Sequence, residues 1–261
     1  MFTYYNIVSH MPQHITGQLV LPVNVPVKRI SEVFVNTESV QEIQALINSM
    51  GGTFAGFSNI EEYLPQQLKK YPYAITFGIR LSDAIINEIE DKPTFTYFNH
   101  YRSVNALIDQ ISLRLVLLLG NKGHSGYSIA ASQSIPTAPV PFSGIIPHKT
   151  GAVHAGLGWI GKNGLFIHKE YGPRVRLGTV LTDMEFINEN ERIKSKCSAC
   201  NKCVQACPAM ALTGNEWSMG VEREHIVDAK ACSEYMNRNF KNIGRGSVCG
   251  ICIKVCSAFK Y

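Results

Sequence analysis

The chain has 261 residues, 45% of them hydrophobic and 17% charged, with a formal charge of +5. This composition excludes a disordered or fibrous protein and leaves room for one large domain or two ordinary ones. The densest apolar run, around Leu113–Leu119, is far too short to cross a bilayer, and MFTYYNIVSH lacks a basic segment leading into an apolar one. The expectation is a cytoplasmic protein with no membrane partner.

Residues 1–30 show little periodicity. TESVQEIQALINSMGG (37–52) predicts a helix with Val40, Ile43, Leu46 and Ile47 on one face, Thr37 as N-cap, and Gly51 and Gly52 as its stop. AITFGIRL (74–81) reads as a buried strand. YRSVNALIDQISLRLVLLLG (101–120) is a strong helix signal, with Val104, Leu107, Ile108, Ile111, Leu115 and Leu118 as its stripe. GYSIAAS (126–132), GLFIHKE (164–170) and RVRLGTVLTD (174–183) read as strands. Helices and strands alternate without a strict βαβ rhythm, so the expected class is α+β or mixed α/β in layers. The polar run NENERIKSK (188–196) divides an α/β domain, 1–190, from a cysteine-rich domain, 191–261.

Between the second and third of these strands lies GLGWIGKN (156–163). Gly156, Gly158 and Gly161 satisfy the dinucleotide fingerprint, and Gly156, Gly161 and Lys162 satisfy the start of a phosphate-binding loop. Both motifs require a strand before the loop and a helix after it. Here TGAVHAGLG leads in as a short helix, GLFIHKE leads out as a strand, and Asn163 replaces the hydroxyl that would hold magnesium. What remains is a stretch of backbone with few side chains, flanked by Trp159 and Lys162. It can approach a large flat ligand, or it can be a tight turn packed under Trp159.

All eight cysteines fall between Cys197 and Cys256. In a reducing compartment such a group binds metal more readily than it forms disulfides. Cys197, Cys200, Cys203, Cys207 and Pro208 reproduce the bacterial ferredoxin run C-x2-C-x2-C-x3-C-P, whose fourth cysteine ligates a second cluster. That geometry needs four more cysteines, and Cys232, Cys249, Cys252 and Cys256 supply them. With the ferredoxin cross-over, one 4Fe–4S cluster takes Cys197, Cys200, Cys203 and Cys256, and the other takes Cys207, Cys232, Cys249 and Cys252. Two departures stand out: Cys232 lies 17 residues before Cys249, and Ser257 follows Cys256 where proline is usual. Two oxidised clusters add about −4 and leave the chain near +1, so basicity is no argument for nucleic acid. Paired zinc sites and a disulfide framework are the alternatives, but zinc sites favour C-x2-C pairs with longer gaps and often recruit histidine.

HAGLGWIGKNGLFIHKEYG, LGTVLTD, the ferredoxin run, and a lone cysteine before C-x2-C-x3-C together resemble the epoxyqueuosine reductase family over roughly residues 97–258. The resemblance implies a nitroreductase-like α/β domain holding cobalamin, related in core to the reductive dehalogenases, and a two-cluster module feeding it electrons from a small donor such as ferredoxin or flavodoxin. It places Gly156, Gly158, Trp159, Gly161, Lys162 and Asn163 against the corrinoid. The family carries an acid in a V-D-[ST]-A-P-V stretch. Here the stretch is IPTAPV (135–140), and Pro136, with no ionisable group, stands in the acid's place. The family's C-terminal helical-repeat region, implicated in tRNA binding, is not seen before Tyr261. The expectation is therefore an unknown substrate, with tRNA not a partner. A non-enzymatic electron-transfer or corrinoid-handling protein, and a flavin in place of cobalamin, are the competing readings.

Candidate proton donors are Tyr97, His100 and Tyr101 in TYFNHYR, since in the dehalogenase relatives a tyrosine hydroxyl does the acid's work. Ordinary aromatic packing at a helix start explains them equally. His148, His154 and His168 bracket the glycine stretch as donors, cofactor contacts or structural histidines. Arg174 and Arg176 alternate along a strand, where they meet anionic groups or solvent. Trp217 is expected to pack over a cluster.

Overall fold

The computed structural model describes residues 27–136, 138, 141–187, 190–246 and 248–258. Most of the 1–30 stretch thus lies outside the described residues. Helix α1 runs Val27–Ser49, starting well before Thr37, which is therefore not its N-cap. The reason is legible afterwards: residues 27–36 hold no glycine or proline, and Pro26 stands just ahead of them. The expected stop is right. Gly51 takes φ +91°, and the N–H of Gly52 closes back on the Ile47 oxygen at 2.9 Å.

Four antiparallel strands form the main sheet in the order β1 (Phe54–Asn59), β2 (Tyr73–Arg80), β6 (Val175–Thr182), β3 (Gly126–Ile129). Side chains alternate across β2. Ile75, Phe77 and Ile79 join one apolar core with Ile43 and Ile47 of α1, while Ala74 joins a second with Ile129 and Leu181. The first core is built mainly by α3 (Phe95–Asn121), whose Ile108, Ile111 and Leu115 are fully buried. Each contributes about 1.5–3 kcal/mol by leaving water. Helix α3 begins at Phe95, six residues before Tyr101, because the Thr94 hydroxyl accepts from the Tyr97 N–H at 3.0 Å and caps it. By length and composition α3 is long and apolar enough to cross a bilayer, which the Leu113–Leu119 run alone did not suggest. In the fold its apolar stripe faces the sheet. Gly178 permits that contact: a Cβ there would lie 2.6 Å from Ile108 Cγ2.

The opposite face carries α4 (His148–His154). A Cβ on Gly151 would come 2.2 Å from Thr76 Oγ1, so only glycine lets α4 sit this close. Helix α4 leads into a separate hairpin, β4 (Gly158–Ile160) and β5 (Phe166–His168). The layered α+β expectation therefore holds, with helices on both faces of one antiparallel sheet. After β6 come four short helices, α5 (Lys202–Ala206), α6 (Ala229–Asn239), α7 (Lys241–Gly244) and α8 (Ile251–Lys254); α5, α6 and α8 carry one cysteine each and the other five lie in the turns around them. Helix α8 packs near α2 (Asp83–Asn87), where Lys254 Nζ donates to the Asn87 carbonyl at 2.8 Å.

Candidate redox site

The cysteine domain is wound from tight turns. The Cys200 N–H donates to the Cys197 oxygen at 2.8 Å around Ser198, which takes φ +44°, so the first two thiols lie on one side of a single turn. Helix α5 then presents Cys203 and ends at Cys207. All eight cysteines are free thiols; Cys200 is exposed and the other seven are partly buried.

They gather in two groups. Burial pushes the Cys256 thiol up to about 11, and Cys197, Cys203 and Cys200 press on it in addition. Burial likewise pushes Cys232 up to about 11, with Cys249 and Cys207 as its sulfur neighbours. Cys252 is driven far above the ordinary thiol range by burial, then by Cys249, Cys232, Cys207 and, last, Cys203. Cys203 is thus felt from both sides. Crowded thiols of this kind resist ionisation by themselves, and a bound cationic metal centre removes that cost by taking them as thiolates. The first group surrounds a cavity of about 130 Å³. Among the described residues no three His, Cys, Asp or Glu close tightly enough to hold a single metal ion. A cubane takes its four thiolates at iron corners that stand apart, as thiols around a cavity do.

The glycine stretch meets this cavity at its far end. Lys162 and Asn163 line it together with Ile167. Lys162 is 7% exposed, and its Nζ donates to the Ser198 carbonyl at 2.7 Å and to Asn201 Oδ1 at 3.1 Å. The side-chain oxygen of Asn163 accepts from the Leu165 N–H at 3.1 Å and shapes the hairpin turn. The glycines themselves are buried against protein. A Cβ on Gly158 would lie 2.0 Å from the Ile167 oxygen, one on Gly156 2.8 Å from Asn190 Cβ, and one on Gly161 2.9 Å from Asn163 Oδ1. The stretch is therefore not a bare loop: Gly158–Ile160 is a strand, and each glycine accommodates a protein neighbour. Trp159 is 4% exposed, with Lys196 Nζ 5.8 Å from its ring centre.

A second polar centre lies where α3 meets β6. Arg176 donates to Asn105 Oδ1 at 3.0 Å, to the Ala131 oxygen at 3.2 Å and to the Tyr101 hydroxyl at 3.4 Å. The Tyr101 hydroxyl shares a hydrogen bond of 3.1 Å with Ser132. Burial raises the Tyr101 phenol, but the Arg176 guanidinium and hydrogen bonds with Ser132, Asn105 and Arg176 outweigh it and leave it below the ordinary tyrosine range. Tyr97, one turn earlier, is 3% exposed, and burial holds its phenol far above that range; it lies within electrostatic reach of Arg176, Cys252 and Cys249. His100 does different work. Its Nε2 accepts the Ser82 N–H at 3.1 Å, tying α3 to the start of α2.

Several expectations change here. Arg174 is 1% exposed and pairs with Asp83 at 2.7 Å and Asn87 at 3.0 Å, so it does not face solvent. Trp217 packs against the apolar group of α4 and the hairpin. His168 is a structural acceptor: its Nδ1 takes the N–H groups of Glu170 at 3.1 Å and Tyr171 at 3.3 Å, and its ring stacks on Phe54 at 4.1 Å. His154 packs on Tyr63. His148 donates from Nε2 to the Ala130 oxygen at 3.0 Å. Pro136 is exposed, while Thr137, Pro139 and Val140 of IPTAPV lie outside the described residues. Sequence reading missed Arg223, which donates to the Pro141 oxygen at 2.8 Å and the Phe142 oxygen at 3.2 Å, and Lys149, which donates to Gly164 at 2.9 Å. No local pattern marks either residue.

Residues 196–258 match the family described as a 4Fe-4S double cluster binding domain. Over 121 residues the chain is 34% identical to a tetrachloroethene reductive dehalogenase of Desulfitobacterium hafniense, covering 41% of this chain and 21% of that protein. Over 93 residues it is 38% identical to an epoxyqueuosine reductase of Gloeobacter violaceus, covering 36% and 26%. The chain is similar over part of its length to epoxyqueuosine reductases and reductive dehalogenases. It spans well under half the length of these curated relatives. The solved catabolic reductive dehalogenase NpRdhA shares the fold, with a TM-score of 0.66 at 18% identity over 84% of this chain and 31% of that one. An epoxyqueuosine reductase solved with an epoxyqueuosine-modified tRNA stem loop shares it too, with a TM-score of 0.54 at 18% identity over 87% of this chain and 66% of that one. The expectation that tRNA is no partner therefore stands without support.

Proposed function

We propose that this chain forms the redox part of a cobalamin-dependent oxidoreductase in which electrons pass through two 4Fe–4S clusters to the α/β domain. The observation that carries the reading is the gathering of eight cysteines into two fours, one open at Cys200 and the other reaching toward Tyr97. Cys197, Cys200, Cys203 and Cys256 hold one cluster; Cys207, Cys232, Cys249 and Cys252 hold the other. The α/β domain is read as nitroreductase-like, the compartment as cytoplasmic, and the donor as a small carrier such as ferredoxin or flavodoxin.

Two buried polar atoms support a cofactor beside α4 and the hairpin. His148 Nδ1 and Trp159 Nε1 have no hydrogen-bond partner among the described residues. A polar macrocycle with amide side chains supplies what such atoms need. Trp159 Nε1 is the group of the glycine stretch read as meeting it; Lys162 and Asn163 line the cavity of the first cysteine group, and the glycines admit the protein neighbours that pack the hairpin. Cobalamin, when bound, supplies a strong reductant at the substrate. The chain supplies the proton. Tyr101 holds it at Oη, and Arg176 stabilises the phenolate that remains, in place of the acid absent at Pro136. This donor pair favours an enzyme over a simple electron carrier. The substrate is an electrophile accepting electrons and a proton, and an epoxyqueuosine-bearing tRNA belongs among those to be tried.

The experiment is a cofactor spectrum of protein purified without oxygen. The expected result is about eight irons and eight labile sulfides per chain, and an absorption change when cobalamin is added. Stoichiometric zinc without iron would overturn the cluster assignment, and retained flavin with no response to cobalamin would overturn the cofactor.

A further inference from the structure

We propose that the face around Cys200 is the docking site for an acidic one-electron carrier protein. The proposal rests on the cluster assignment above and deepens it by fixing where electrons come in. Cys200 is the exposed thiol of the eight, and the cavity behind it is rimmed by Lys196 and Lys202. Lys194, Lys196 and Lys202 are exposed, and none forms a salt bridge among the described residues. From Glu191 to Lys202 the chain carries Arg192 and these three lysines against the single acid Glu191.

The positive charge is fixed in place. Lys196 sits over the Trp159 ring, and Lys162 is held at the back of the cavity by the Ser198 carbonyl and Asn201. A carrier with an acidic face is drawn toward such a patch and oriented by it before contact. None of the thiols of the second group is exposed. Asp228 adds negative charge beside Cys232, and the nearby Lys230 is already paired with Glu234. An acidic partner therefore gains most at the first group, where an exposed thiol and exposed lysines lie together. In the encounter the reduced carrier gives up one electron and the cluster at Cys200 accepts it; no bond forms or breaks.

The test titrates iron-loaded protein with oxidised flavodoxin, an acidic protein, and reads binding directly at low and high salt. Iron is counted first, so that an iron-free protein condemns the cluster assignment and not the docking face. Wild-type protein should bind and weaken by about tenfold or more on adding salt. Lys194→Glu/Lys196→Glu, with its iron retained, should bind about tenfold more weakly at low salt and lose most of the salt dependence. Lys230→Glu, on the other side, should bind as wild type does. Iron-loaded wild type that ignores flavodoxin, a neutral double variant, or an equal loss in Lys230→Glu would each overturn the proposal.

Discussion

The guanidinium carbon of Arg176 stands 4.5 Å from the centre of the Tyr101 ring while one of its nitrogens reaches the same residue's hydroxyl at 3.4 Å. One cation therefore meets both the ring face and the oxygen of a single tyrosine. A phenol so placed gives up its proton more readily than an ordinary one, and its conjugate base is stabilised where it forms.

Replacing Tyr101 with Phe keeps the ring over Arg176 and removes the proton. Turnover should fall about 10²–10⁴-fold, the range of a lost general acid, with iron content unchanged. The wild-type rate should also decline on the alkaline side as pH rises through the lowered Tyr101 phenol, because only the protonated form donates. Arg176→Met should move that decline to higher pH. A pH–rate profile of each variant decides the matter, and an alkaline limb unmoved in Arg176→Met would dismiss Tyr101 as donor.

The cross-over of ligands is open to counting. Cys197→Ser/Cys256→Ser removes two ligands from one proposed cluster and should leave about four irons per chain. Cys207→Ser/Cys256→Ser takes one ligand from each and should lose nearly all the iron. Equal iron in the two variants would mean that the cysteines pair some other way.

His168 ties stability to acid. Burial lowers its imidazole to about 4, with Lys169 adding to the effect, against an ordinary value of 6.5. The unfolded chain therefore takes up this proton first. The stability involved is fully present above pH 6.5 and is lost as pH falls toward about 4. His168→Asn keeps a side-chain acceptor near the position of Nδ1 but cannot titrate. Its thermal midpoint should fall less than that of wild type between pH 7 and pH 5, and equal slopes would remove His168 from the account.

Gly158→Ala should be severely destabilising, by ~3 kcal/mol or more, because the added methyl would meet the Ile167 oxygen at 2.0 Å. Gly120→Ala, at a helical position with nothing within 4 Å, should stabilise by about 0.5–1 kcal/mol. Chemical denaturation of the pair separates backbone packing from any contact with a cofactor. A Gly158→Ala protein of normal stability would return the glycine to a ligand-facing role.

What could be read from the residues divides along physical lines. Cysteine ligation is largely local, since C-x2-C-x2-C-x3-C states its own turn geometry, and the gathering into two fours follows. The long helix and the strands β2 and β6 were plain from periodicity, whereas β1 and β4 were not read and β3 and β5 are shorter than read. Arg174 was not legible, because Asp83 and Asn87 lie 91 and 87 residues away. GLGWIGKN misled for the same reason. Its glycines answer to Ile167 on the facing strand of the hairpin and to Asn190 some 34 residues on, and glycine spacing by itself displays neither neighbour. Trp217, expected over a cluster, packs with α4 and the hairpin.

Asn87 receives Arg174 on its side-chain oxygen and Lys254 on its carbonyl. Lys254, the last residue of α8, lies between Cys252 and Cys256, which belong to different groups of four, so the segment carrying both is moored to α2. Oxidative loss of iron from either group would slacken that mooring. The segment Asp83–Asn87, far from any sulfur in sequence, should then become a site of early proteolytic cleavage. Damage to the electron path would thus register as a loosened seam between α8 and α2, and that seam would give way before the rest of the chain unfolds.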